Sequence, residues 1–250
     1  MWSQSICEPN AALPPGKPFC QGPAAPNTRD QRAGRSLKPG EVCLLKILHA
    51  AVNPDLTEER IKAIADRTEL ITQKDLNSLG RKYVLAKRII SISLAGDAAA
   101  ITLPRGLTGG TILIASKEPF DPFDGFRVKD VKQLALLAHE LQHAVQTTII
   151  GEGWIVKYLD EYIYNRADEG MSAEKAYRCI PAEIEAYAVQ DALQSVLRDQ
   201  TSVKEFEEAC RLVEAKSKLA KFHTLNLQIR FKEAFVKARD QLTAQCKPKR

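Results

Sequence analysis

Apolar residues recur at intervals of three and four between Val128 and Val145, which is the spacing of one face of a helix. Asp130 is suited to cap the N-terminus of this predicted helix, and Gly151 is suited to end the region. Leucine and alanine also occupy other sides of the helix, so we expect it to be largely enclosed. Polar side chains on such a helix need partners, because burying an unpaired polar group is costly.

The rest of the pattern predicts helices around a small sheet. Short runs rich in valine, isoleucine, leucine and threonine predict strands at residues 83–94, 99–103 and 111–115, and 111–116 is the candidate edge strand. Helical patterns cover the remaining regular stretches: 41–52, 57–69, the tyrosine-rich segment up to about 166, 181–197 and most of 201–246. We therefore expect a mostly helical α+β fold with a small sheet before the 128–145 helix and a helical C-terminal extension.

Domain boundaries follow from changes in this pattern. Residues 1–38 contain 6 prolines and little periodicity, which predicts an unstructured leader. Residues 39–200 are predicted to form the principal domain. Residues 201–250 hold 12 Lys and Arg against 6 Asp and Glu, so they are predicted to form a basic helical extension.

The enclosed helix contains the pattern His-Glu-x-x-His at residues 139–143. Residues four apart on a helix lie one turn above each other, so His139 and His143 can direct two imidazole nitrogens at one zinc ion, with Glu140 beside it. A buried metal accounts for two imidazoles on this helix better than solvent does. The alternative is a helix whose two histidines are surface residues or hydrogen-bonded core residues.

A catalytic zinc ion usually has three protein ligands, so a third must come from elsewhere. The residues after His143 lack the further histidine of metzincins, and His49 and His223 read as surface or core residues without a supporting pattern. Glu183, in the first turn of the helix that begins at Pro181, is the favoured third ligand, with Glu185 as the fallback. The alternative is that both carboxylates only favour the positive end of that helix dipole.

Two of these segments resemble known zinc proteins. Residues 136–146 resemble the zinc helix of the extracellular contractile injection system core domain, a predicted peptidase formerly classed as a domain of unknown function. The segment Glu183-Ile184-Glu185-Ala186 resembles the Glu-x-Glu-Ala segment of many gluzincins, in which the first glutamate binds the metal. The resemblance covers roughly residues 105–190 and implies a zincin-like fold, a Zn²⁺ cofactor and metallopeptidase activity. Tyr187 departs from those gluzincins that carry an aspartate or asparagine there.

The chemistry predicted for these residues is metal-assisted hydrolysis of a peptide bond. The metal supplies an activated water and a polarised carbonyl, and Glu140 accepts the proton of the water and delivers it to the leaving amine. The sequence leaves the oxyanion donor open among five tyrosines, and it offers Glu185 and Asp191 as acceptors for the histidine ring N–H groups. The tyrosines are Tyr158, Tyr162, Tyr164, Tyr177 and Tyr187.

Composition limits the remaining classes. The chain has 250 residues, of which 44% are hydrophobic and 27% charged, and it shows neither a membrane span nor a secretory signal. The 6 cysteines are scattered without a Cys-x-x-Cys pair, which favours reduced thiols and a cytoplasmic location, with non-classical export as the alternative. Cys7 and Cys20 flank a proline-rich stretch that they could close.

The expected partner is a protein or peptide substrate. Two rivals remain: a zinc-containing scaffold or effector-loading module that cleaves nothing, and a basic helical protein that binds nucleic acid through residues 201–250. Nucleic acid is the less favoured partner, because a solvated helical face is the commoner reason for a local charge balance of +6 in a chain whose net charge is +5.

Overall fold

The structure, a computed structural model, describes residues 34–79, 83–95, 98–108, 110–151 and 153–247. Its first helix, α1 (Pro39–Leu44), runs through a π-helical turn (Leu45–His49) into α2 (Ala50–Val52). A 3₁₀ helix (Gln73–Ser78) follows the second strand. The other helices are α3 (Glu58–Arg67), α4 (Val84–Ala95), α5 (Arg105–Thr108), α6 (Val131–Ile150), α7 (Trp154–Ala167), α8 (Ala173–Arg178), α9 (Pro181–Val196), α10 (Gln200–Glu214) and α11 (Ala220–Cys246).

A small mixed sheet lies beside these helices, so the predicted mostly helical α+β fold is confirmed. Its strands are β1 (Arg35–Ser36), β2 (Thr68–Thr72), β3 (Ala100–Leu103) and β4 (Ile112–Ser116), in the order β1-β2-β4-β3. Strands β2 and β4 are parallel, and the outer strands pair with them antiparallel. A separate hairpin consists of β5 (Phe123–Asp124) and β6 (Arg127–Val128).

Two sequence interpretations of the sheet are wrong. The run predicted as a strand at 83–94 is the helix α4, whose buried residues Ala86, Ile90 and Leu94 recur every four positions. The predicted edge strand is the central strand β4, which is buried along its whole length, and its neighbour β3 is the outer strand on that side of the sheet. A strand buried on both faces shows no alternation of polar and apolar residues that could reveal its place in the sheet.

Helix α6 is the helix predicted from the apolar spacing, and its ends are as expected. The Asp130 carboxylate accepts the backbone N–H groups of Lys132 and Gln133, which satisfies two donors of the first turn. Gly151 ends the helix with a φ of 81°, a value that favours glycine. Thirteen of the 20 residues of α6 are buried, including both histidines.

The C-terminal helices belong to the same core as α6. Leu227, Phe231 and Phe235 of α11 and Phe206 of α10 join the cluster that holds Leu137 and the other apolar residues of α6. The described residues from 34 to 247 form one compact unit, so the boundary predicted at residue 200 does not coincide with a break in the core. Most of the predicted leader lies outside the described residues, and its last part supplies β1.

Two disulfide bonds join distant parts of this unit. Cys43 of α1 is bonded to Cys210 of α10, and Cys179, which follows α8, is bonded to Cys246 at the end of α11. The expectation of reduced thiols is therefore wrong for these four cysteines, because partners 167 and 67 residues apart cannot be recognised from spacing in the chain. Cys7 and Cys20 lie outside the described residues. Among the helices described, none has both the length and the apolar character needed to cross a membrane.

Candidate metal centre

The structure brings the three predicted ligands together at one point. His139 and His143 stand one turn apart on α6 with ring centroids 5.0 Å apart, and Glu183 reaches them from the first turn of α9. His139 Nε2 lies 3.5 Å from Glu183 Oε2, and His143 Nε2 lies 3.2 Å from Glu183 Oε1. All three ligand atoms fall within 4.8 Å of one another.

The packing of α6 against α9 creates this convergence. Pro181 starts α9 with a ring that suits a first helical position, and this places Glu183 in the first turn, facing α6. The side chain is buried like those of the two histidines. Glu185 is the fallback ligand of the sequence analysis, and it does not belong to the cluster of potential ligands.

The separations suit a tetrahedral ion. For ligands at ~2.1 Å from a zinc ion, neighbouring ligand atoms lie ~3.4 Å apart. The two observed N···O distances of 3.5 and 3.2 Å bracket this value. Glu183 Oε2 is buried without a hydrogen-bond partner among the described residues, as expected of an atom that a cation would satisfy. The donor set therefore fits a divalent metal such as zinc.

A series of hydrogen bonds fixes the ring of His143. Its Nδ1 lies 2.9 Å from Gln146 Oε1, so Nδ1 carries the proton and Nε2 is left to face Glu183. The Gln146 amide donates to Glu185 Oε2 at 2.9 Å and to the backbone carbonyl of Ala182 at 3.0 Å. The sequence analysis suggests Glu185 as an acceptor for a histidine ring N–H group but does not identify Gln146, which connects Glu185 to His143.

The surroundings of His139 are aromatic. Tyr187 packs edge-on against its ring with the centroids 4.6 Å apart, and Arg178 lies over the Tyr187 ring. His139 Nδ1 is buried and has no hydrogen-bond partner in the part of the chain that the structure describes. Asp191, the acceptor suggested by the sequence, makes no hydrogen bond to it in this conformation.

Among the five candidate tyrosines, Tyr158 forms a hydrogen bond with the predicted ligand Glu183. Its hydroxyl donates to Glu183 Oε1 at 2.7 Å, and Tyr177 packs against the Tyr158 ring. Tyr164 instead hydrogen-bonds Glu169, and Tyr162 packs near the Cys179–Cys246 disulfide.

The predicted base, Glu140, is held by the sheet. The Thr102 hydroxyl on β3 lies 2.7 Å from Glu140 Oε2 and 3.0 Å from the Glu140 backbone carbonyl oxygen. Both residues are buried. This contact fixes one carboxylate oxygen of Glu140 and leaves Oε1 as the other acceptor. The sequence does not predict the contact of Thr102 with Glu140, because 38 residues separate the two.

Within the cluster, burial and the charges of neighbouring residues shift the pKa values of His143 and Glu183 in opposite directions. Burial by itself lowers the pKa of His143, but the charge of Glu183 and the hydrogen bond to it raise that pKa to about 9. Burial raises the pKa of Glu183, and the two histidines outweigh burial and hold it well below its ordinary value. Burial and the charge of Glu183 both raise the pKa of Tyr158, so its hydroxyl keeps its proton at neutral pH.

Aromatic residues cover the cluster. Trp154, the first residue of α7, lies 5.8 Å from the His143 ring and 5.1 Å from the Tyr158 ring, measured between centroids. The residues of the motif are enclosed: relative exposure is 5% for His139, 4% for Glu140, 5% for His143 and 1% for Glu183. In this conformation a peptide reaches the cluster only if part of this cover moves.

The other two histidines are not part of the cluster. His49 is completely buried in the π-helical turn, and its Nδ1 donates to Gln142 Oε1 at 3.0 Å. Asn53 also bonds to the Gln142 amide. Burial lowers the pKa of His49 to about 4 despite the bond to Gln142. His223 is exposed on α11.

Comparison of this chain with models of protein families, with curated proteins and with solved structures gives no significant match. The resemblance to gluzincins and to the injection system core domain therefore rests on the short motifs alone.

Proposed function

We propose that this protein is a zinc-dependent metallopeptidase of the gluzincin type. The observation that carries the proposal is the convergence of His139, His143 and Glu183 at separations that suit one tetrahedral ion. Glu140, the remaining residue of the motif, is not part of this cluster, and its charge acts on His143.

His139, His143 and Glu183 would hold the zinc ion, which would supply a polarised peptide carbonyl and a water acidic enough to attack it near neutral pH. Glu140 accepts the proton of that water at Oε1, since Oε2 is engaged by Thr102, and then delivers the proton to the leaving amine. Tyr158 keeps Glu183 in place through its hydrogen bond to Oε1.

The position of strand β3 favours a peptide as the substrate. It is one of the two outer strands of the described sheet, and its residue Thr102 contacts the candidate base directly. An extended peptide added along this edge by backbone hydrogen bonds would run beside Glu140. The proposed substrate is therefore a protein or peptide in an extended conformation.

The enclosed site favours one alternative function, a zinc-containing scaffold or effector-loading module without catalysis. Four buried polar residues beneath an aromatic cover are also what a structural metal site requires. The two functions differ in the role of Glu140. A structural site has no use for this carboxylate, whereas a peptidase depends on it.

Elemental analysis and a cleavage assay test the proposal together. We expect about one zinc per chain in the wild-type protein and in Glu140→Gln, and loss of most zinc in His139→Ala and Glu183→Ala. Glu185→Gln is the matched control, because it removes a negative charge two residues from Glu183 and outside the cluster but keeps an acceptor for Gln146. We expect it to retain zinc.

Cleavage is followed by mass spectrometry on a mixed peptide library and on unfolded casein. The wild-type protein should cleave these substrates, and Glu140→Gln should reduce the rate by about 10²-fold or more. If the wild-type protein and Glu140→Gln both bind zinc and do not differ in cleavage, the scaffold function would be supported. Full zinc retention by Glu183→Ala would refute the ligand assignment.

A further inference from the structure

The outward side of α11 carries large apolar residues that face solvent. Phe222 is 79% exposed, the highest value among the large hydrophobic residues of the described chain, and Leu219, Leu225 and Ile229 are 62%, 54% and 49% exposed. The name α11 outer face is used here for these four residues together with four lysines: Lys216, Lys218, Lys221 and Lys232. Leu219 precedes the helix, and the others follow at intervals of three and four.

This face points away from the core. Leu227 and Phe231 are buried, and each stands two positions after an exposed apolar residue of the outer face. Two positions correspond to a rotation of ~200° about a helix axis, so the buried residues lie on nearly the opposite side of α11 from the exposed ones. The inner side of α11 already packs into the core, so the apolar residues on its outer side are not needed for folding.

Lysines surround the apolar residues. Lys216, Lys218, Lys221 and Lys232 are exposed, and none of them forms an ion pair with a residue that the structure describes. Residues 215–232 contain no aspartate or glutamate. Glu233 follows one turn after Ile229 on this side of α11, so the four lysines leave the outer face with a net positive charge.

Helix α7 also exposes large apolar residues, but it differs from α11 in charge. Val156 and Ile163 of α7 are 68% and 61% exposed, but Asp160 and Glu161 lie between them in the same helix. Exposed apolar side chains are thus accompanied by acidic residues on α7 but not on α11, and the shorter α4 resembles α11 in exposing Val84, Leu85 and Ile92 without an acidic residue.

We propose that the α11 outer face docks on the surface of a lipid bilayer rich in anionic headgroups. Its apolar side chains enter the boundary between headgroups and acyl chains, and the lysine ammonium groups pair with lipid phosphates. A second copy of the chain is a poorer partner, because a symmetric contact would bring like-charged lysines together. A nucleic acid would pair with the lysines but would leave leucine and isoleucine without an apolar partner.

Vesicle flotation with the full chain tests this proposal. Vesicles of phosphatidylcholine with about 30% phosphatidylglycerol should bind the protein at least about tenfold more strongly than pure phosphatidylcholine, and 1 M salt should weaken the binding. The double variant Phe222→Ser/Leu225→Ser should reduce binding about tenfold or more, and Lys218→Gln/Lys221→Gln should remove most of the preference for anionic vesicles.

The matched control is Val156→Ser/Ile163→Ser on α7, which removes equally exposed apolar side chains and should leave vesicle binding unchanged. Circular dichroism verifies that all variants fold. Equal binding to neutral and anionic vesicles, or the same loss in the α7 control, would overturn the proposal. So would a dimer that Phe222→Ser dissociates, or tighter binding to a DNA duplex than to anionic vesicles. None of these measurements depends on zinc or on peptide cleavage.

Discussion

Gln146 connects the candidate ligand His143 to the helix that carries Glu183. It accepts a hydrogen bond from the His143 ring and donates to Glu185 and to the Ala182 carbonyl. Two elements of the site, α6 and α9, are thereby held together by one side chain. Partners of this kind orient a metal-binding imidazole and raise its basicity.

We expect Gln146→Leu to weaken zinc affinity by about 10- to 100-fold, because His143 Nδ1 loses its acceptor and the ring loses its fixed orientation. Competition with a fluorescent chelator measures the affinity. Glu185→Gln is the control, since its amide oxygen still accepts from Gln146. An unchanged affinity in Gln146→Leu would show that packing alone orients the ring.

His49 gives the stability of the protein a specific dependence on pH. Its pKa is about 4 in the folded protein, against 6.5 when it is free, so the folded state binds the proton less readily than the unfolded state. The stabilising contribution is complete above pH 6.5 and is lost as the pH falls toward 4. The loss should reach about 2–3 kcal/mol at pH 4.5.

Urea unfolding at pH 7.5 and pH 4.5 measures this effect. The variant His49→Gln has no titrating ring at this position, so its free energy of unfolding should fall by about 2–3 kcal/mol less over the same interval. The other acidic and basic groups are shared by both proteins and cancel in the comparison. Equal pH dependence of the two proteins would contradict the prediction.

The junction between α6 and α7 depends on the backbone conformation of Gly151. This glycine has a φ of 81°, and α7 begins three residues later with Trp154, which covers His143. A side chain at residue 151 would meet no neighbouring atom, so the cost of a substitution comes from the backbone alone.

Gly151→Ala should therefore lower the free energy of unfolding by about 1–2 kcal/mol. The control is Gly106→Ala in α5, where a Cβ also meets open space but φ is not positive, so stability should stay equal or rise slightly. Thermal unfolding compares the two variants. If the two variants changed the free energy of unfolding by similar amounts, a side chain at residue 151 would not strain the backbone.

The elements differ in how far their sequences predicted them. Helix α6 was predicted with both ends because Asp130, the apolar spacing and Gly151 all act within a few residues of one another. Strand β2 was missed because it is buried on both faces and follows α3 without a break. A run of branched apolar residues in α4 suggested a strand, although its four-residue spacing and length suit a helix.

At the scale of the whole molecule, the disulfides join the two ends of the described chain to cysteines in its C-terminal half. Cys43–Cys210 closes a separation of 167 residues, and Cys179–Cys246 closes one of 67. Cys179 stands four residues before Glu183, so the second bond anchors the end of α11 next to the start of the ligand-bearing helix α9.

Removing either bond should destabilise the protein, since each restricts the unfolded chain. We expect Cys43→Ala/Cys210→Ala and Cys179→Ala/Cys246→Ala each to lose about 2–5 kcal/mol, with the longer separation giving the slightly larger loss. Urea unfolding measures the loss, and peptide mapping without reductant verifies both pairs in the wild-type protein. Stability unaffected by either double variant would contradict the prediction.

The sequence by itself determined the motif helix, its caps, the two histidines one turn apart and the mostly helical α+β class. These features depend on residues within about two turns of each other, where helix geometry alone fixes the spacing. The tertiary structure alone decided that Glu183 rather than Glu185 faces the histidines, that Gln146 and Thr102 hold the motif, and which cysteines pair. Each of these contacts joins elements that are distant along the chain, so they depend on how helices and strands pack, and no local pattern in the sequence encodes that.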